Sequence, residues 1–153
     1  MIQFYKPNSQ NTGNAFGFRL GVKGKTDEPC IYMTAVNQFS WDSKKKSGSF
    51  SQNAKNPEKS TLIKFNETEL SAFIHAIEKY EKFNTFHTFE DNSTSINFGP
   101  YTKKDGTKAF SFSVTKNSTC KFGMGLEMSE AYLLMEYFKF ALNKIFTYKT
   151  STQ

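Results

Sequence analysis

Arginine is almost missing from this 153-residue chain: of its twenty basic residues only Arg19 is one. Lysine offers a compact point charge, whereas the arginine fork makes the paired hydrogen bonds that read guanine edges. The basic surface therefore suits attraction to anionic groups rather than reading of a base sequence. Histidine and cysteine are equally scarce, at two each. Cys30 and Cys120 have no second cysteine or histidine near them in sequence, which argues against zinc and dithiol motifs. Both read as small buried hydrophobes in a reducing compartment. His75, His87 and scattered carboxylates form no triad, no metal-ligand spacing and no phosphate-cradling glycine loop, so no enzyme activity, metal or cofactor is expected. Long apolar runs are also absent. The most apolar segment, Ala131 to Phe146, is broken by Glu136, Lys139 and Lys144, and Met1 to Lys6 lacks the pattern of a signal peptide. The expected setting is cytoplasmic, without a membrane partner.

What the chain has in abundance is lysine and aromatic rings. The formal net charge is +6, and seventeen Phe, seven Tyr and one Trp supply much of the apolar material. The two combine in Trp41 to Lys59, a stretch with Lys44, Lys45, Lys46, Lys55 and Lys59 against only Asp42 and Glu58, a local balance of +3. Ammonium groups beside rings suit a flexible anionic polymer whose bases leave their stack, because lysines neutralise phosphates while a ring accepts any base face. A solvated surface loop is the alternative reading of the same lysines.

The rest of the chain reads as strands and two helices. Ile2 to Lys6 is a first strand. In Ala15 to Gly24, Phe16, Phe18, Leu20 and Val22 share one face, and Ala15, Gly17, Arg19, Gly21 and Lys23 share a small, basic one. Cys30 to Ser40 reads as a long third strand, Gly48 to Ser51 as a short strand within the basic loop, and Thr61 to Phe65 as the next. Asn66 with Glu69 three residues later marks a helix start, followed by Leu70, Phe73, Ile74, Ile77 and Tyr80 at helical spacing. Later, Asp105-Gly106 inside Lys103 to Lys108 signals a hairpin, and Glu127 to Glu130 opens a second helix.

That second helix carries a core stripe of Ala131, Leu134, Met135, Phe138, Leu142 and Ile145, with Leu133, Tyr137 and Phe140 on its other side. Such a two-faced helix is either buried by a partner or covered by the chain's own tail, and a homo-oligomer with this helix at the contact is the favoured expectation. Ile96 against Ile2 and Ala109 against Ala15, an offset of 94 residues, suggest an internal repeat. The expected architecture is therefore α+β, a single domain over residues 1–153 made of two four-stranded antiparallel sheets each followed by a helix. Its tandem ββββα halves span about 1–82 and 83–150.

Phe39, Trp41 and Asp42 at a strand end, Lys46 to Gly48 in a hairpin, and Ile63, Phe65, Asn66 and Leu70 leading into a helix resemble the Whirly family and its relative, the transcriptional coactivator called positive cofactor four. The resemblance is close over about forty residues, with Lys59-Ser60 standing where the coactivator has Lys-Gly. It implies a Whirly-like fold, single-stranded DNA laid across the sheets, and assembly into tetramers through the helices. With no transit peptide in view, it further suggests a bacteriophage or bacterial single-strand binder used in replication or recombination, acting in the host cytoplasm. An RNA-binding or annealing module and a conventional OB-fold binder remain the alternatives. The expected stacking rings are Phe39, Trp41, Phe50 and Tyr101. The expected phosphate contacts are Arg19, Lys23, Lys44, Lys45, Lys46, Lys103, Lys104 and Lys108.

Overall fold

The computed structural model describes residues 1–152. Alternation of large apolar with small or polar side chains produces β1 (Ile2–Lys6), β2 (Asn14–Val22) and β3 (Pro29–Asn37), which join β6 (Ser60–Phe65) in an antiparallel sheet of order β1-β2-β3-β6. A second antiparallel sheet, order β10-β9-β8-β7, contains β7 (Phe83–Phe89), β8 (Asn92–Thr102), β9 (Lys108–Lys116) and β10 (Cys120–Glu127). Between β3 and β6 the chain inserts a two-stranded hairpin, β4 (Ser40–Asp42) with β5 (Ser47–Ser49), and a one-turn helix, α1 (Ser51–Ala54). Two longer helices follow the sheets, α2 (Glu67–Lys79) and α3 (Met128–Ser151).

This is not the expected tandem of two ββββα units. The described residues are mostly β, with sheets of four, four and two strands and three helices, of which a single long one of 24 residues follows the last strand. The internal alignment also fails by one strand. Ile2 lies in β1, an edge strand, whereas Ile96 lies in β8, which is flanked by β7 and β9. Phe-x-Phe spacing recurs wherever a strand buries one face, as in Phe16/Phe18 and Phe110/Phe112, so the matching letters reported a shared period and not a shared position. The third strand is also shorter than expected. It stops at Asn37, because Gln38 turns inward to bond the β1–β2 loop.

The inner faces of both four-stranded sheets pack with α2 and α3 around one apolar cluster. Eleven of the seventeen phenylalanines are buried in the protein. Phe73 of α2 is the centre, with its ring against those of Phe65, Phe83, Phe98, Phe112 and Phe138. Each such ring pair contributes about 0.5–1.5 kcal/mol beyond area burial. The start of α2 is capped as expected: the Asn66 side chain accepts from the Glu69 N–H at 2.8 Å, and Glu69 Oε1 accepts from the Asn66 N–H at 3.0 Å. The other oxygen of Glu69 lies 2.6 Å from both Thr85 Oγ1 and His87 Nε2, tying α2 to β7. The end of α3 is held by Lys149, whose Nζ is 2.8 Å from Glu67 Oε1. The ammonium beside it keeps the Glu67 carboxyl below its usual range. No helix among the described residues is long and apolar enough to cross a membrane.

Candidate nucleic-acid interface

The insertion between β3 and β6 is rigidly mounted. Gln38, 4% exposed, accepts from the backbone N–H groups of Asn8 and Gly13 at 2.9 and 3.1 Å, and donates to the carbonyls of Asn8 and Ser40 at 3.0 and 3.1 Å. Asn53, at the α1 turn, donates to the carbonyls of Asn37 and Gln38. A side chain on Gly13 would stand 2.2 Å from the Lys6 carbonyl oxygen, and one on Gly48 2.6 Å from Pro7 Cβ, so only glycine lets the loop and hairpin approach this closely.

From this mount the hairpin projects Lys44, Lys45 and Lys46. Asp42 Oδ1 accepts from the Lys44 and Lys45 N–H groups, and Lys46 closes the turn at φ 50°. All three side chains are exposed, and none is within ion-pairing distance of a carboxylate among the described residues.

Beside the insertion lies the outward face of the first sheet, a shallow groove of about 630 Å³. Cross-strand register places Gln3, Gly17, Thr34 and Leu62 in one row, Tyr5, Ala15, Val36 and Ser60 in the next, and Arg19, Tyr32 and Lys64 in a third. The guanidinium of Arg19 lies 4.6 Å from the centre of the Tyr32 ring. Gly21 makes room for this stack, since a Cβ there would be 2.8 Å from Arg19 Nη1. Tyr5 and Leu62 are exposed, and small Ala15 and Gly17 leave the sheet backbone open to close approach. These three rows contain two cations and no carboxylate. Of the fourteen acidic residues, only Asp42 and Glu127 lie within strands, and both are engaged, Asp42 by its own turn and Glu127 by Lys103.

The chain has no match among protein-family models, curated proteins or solved structures.

The expected site residues divide into those the fold brings together and those it separates. Arg19 shares the outward groove with the insertion, and Phe39 stands exposed on another side of that insertion, above a groove it lines with Lys59 and Lys121. Trp41 is half-buried, paired with Gly48 in the hairpin. Phe50 is not a free stacking surface: it is 9% exposed, with its ring 5.7 Å from that of Tyr5, which takes the outward position instead. Lys23 is paired with Glu28 at 2.9 Å, a hydrogen bond that raises its pKa, so it is no free phosphate contact. Lys103 is likewise committed to Glu127, and its pKa is raised by that bond.

Tyr101, Lys103, Lys104 and Lys108 belong to the second sheet and its β8–β9 hairpin, near the Glu127 end of β10. The insertion meets β10 at its other end, around Cys120 and Lys121. Eight residues of strand, roughly 25 Å, therefore separate the two lysine groups. On α3, Leu133 and Phe140 are exposed, but the Tyr137 hydroxyl accepts from the Leu20 N–H at 2.9 Å and so serves the chain's own fold.

Sequence reasoning missed Tyr5, Tyr32, Leu62, Lys64 and Lys116 as lining residues. The signal for four of them was the strand alternation itself, which sends each outward between buried neighbours such as Ile63 and Phe65.

Proposed function

We propose that the protein binds single-stranded DNA without regard to base sequence, on the outward face of the first sheet and the adjoining lysine hairpin. It is a binding protein rather than an enzyme, suited to covering bare strands during replication or recombination. The observation that carries this reading is the composition of that face: Tyr5, the Arg19–Tyr32 stack, Leu62 and Lys64, with no carboxylate in its rows, bordered by three lysines that pair with no carboxylate among the described residues. Rings and a stacked guanidinium accept any base plane, and ammonium groups neutralise phosphate without distinguishing bases. A duplex keeps its bases stacked inside and gives such rings nothing to hold.

Titrating a fluorescent oligo-dT, an oligo-rU and a duplex of equal length at 50 and 200 mM salt tests this. The expected order is oligo-dT well ahead of duplex. If about five of Arg19, Lys44, Lys45, Lys46, Lys64 and Lys116 each neutralise one phosphate, log affinity falls with log salt at a slope of roughly −3.5, about 100-fold over that range. Equal affinity for duplex, or no binding, rejects the reading; preference for oligo-rU reassigns the ligand to RNA.

A further inference from the structure

Where the two four-stranded sheets diverge, the edge strand β6 faces β7 and the start of β8 across a cleft of about 610 Å³. Its size falls within the usual range of small-ligand sites, roughly 300–1,000 Å³. Two large apolar side chains stand unpartnered in it, Leu62 at 57% and Phe89 at 73% exposed, with Tyr32 beside them. Thr61 and Thr94, 9% and 8% exposed, also line it, and neither hydroxyl bonds another protein group among the described residues. Both hydroxyls stay open to the cleft rather than sealed in the core, so each can donate to or accept from a ligand there. At the rim, Lys116 Nζ lies 2.8 Å from the Pro57 carbonyl, with no carboxylate in ion-pairing range among the described residues. Thr61, Leu62 and Lys116 also line the groove on the outward face of the first sheet, so the cleft opens directly off the proposed path of the strand.

We propose that this cleft receives one unstacked nucleobase of a bound single strand. Leu62 and Phe89 flank the ring, the Thr61 and Thr94 hydroxyls meet its edge, and Lys116 meets the adjoining phosphate. A hydroxyl donates or accepts by rotating, so the pocket takes any of the four bases and preserves indifference to sequence. The inference rests on the nucleic-acid reading above and adds to it a definite site.

The test compares oligo-dT with an abasic sugar-phosphate oligomer of the same length, which keeps every phosphate and has no bases. Phe89→Ala should weaken oligo-dT binding about fivefold or more while leaving the abasic oligomer within about twofold. Thr94→Val should also weaken oligo-dT selectively, because a methyl replaces the hydroxyl that meets the base edge. If Phe89→Ala changes both oligomers equally or neither, or if Thr94→Val leaves oligo-dT binding intact, the base site is wrong while the nucleic-acid reading stands. If the wild-type protein binds neither oligomer, both fall together.

Discussion

Replacing Gln38 with alanine should lower stability by about 3 kcal/mol or more and loosen the whole insertion. The substitution strips partners from the N–H groups of Asn8 and Gly13 and from the carbonyls of Asn8 and Ser40. Each buried polar group left unpaired costs about 1–3 kcal/mol, and water entering the gap recovers only part of that. For a domain of this size the loss corresponds to a melting temperature roughly 6–12 °C lower. The damage should be local in kind, since Gln38 joins the β1–β2 loop to the hairpin and does not belong to the phenylalanine core. Limited proteolysis should therefore cut within residues 39–59 well before the sheets open. An unchanged melting curve with an uncut insertion would show that the loop is held by something other than this amide.

The second large effect concerns the lysine hairpin. Changing Lys44, Lys45 and Lys46 together to alanine should reduce the salt slope of oligo-dT binding by about 2, and weaken binding at 0.1 M salt on the order of 100-fold. Stability should stay within about 0.5 kcal/mol, because all three side chains are exposed. Lys103→Ala is the matched contrast. Its ammonium is already neutralised by Glu127, so the slope should not move. Equal slopes for the triple variant and the wild type would place the bound strand away from the hairpin.

The two variants also show what was legible in the sequence and what was not. Local signals survived: Asn66 and Glu69 cap α2, Asp105-Gly106 turns the β8–β9 hairpin with Gly106 at φ 87°, and the basic stretch does contain a hairpin. Each depends on residues within a few positions of one another. What failed depended on distant partners. Phe50 sits among serine, glycine and glutamine in sequence, and nothing there announces Tyr5, its neighbour in space. Lys103 and Glu127 meet only because β8 and β10 flank β9. Ser51–Ala54 has no apolar period to signal α1, and Gln38 looks like any polar strand residue until its four backbone partners are seen. The repeat failed for another reason, since strand periodicity has too short a period to say which strand of a sheet it comes from. The proposed site was half visible: its cations stood out by composition, while its rings had to be sorted by which face each strand buries.

The central claim is one of place, that a bare strand lies on the outward face of β1, β2, β3 and β6. Photocrosslinking with an oligo-dT carrying 5-bromouracil, followed by peptide mass spectrometry, measures this directly because the excited base joins aromatic side chains in contact with it. Crosslinks at Tyr5 and Tyr32 are the predicted result. Crosslinks confined to Tyr101 or to the aromatic residues of α3, with Tyr5 and Tyr32 untouched, would contradict it.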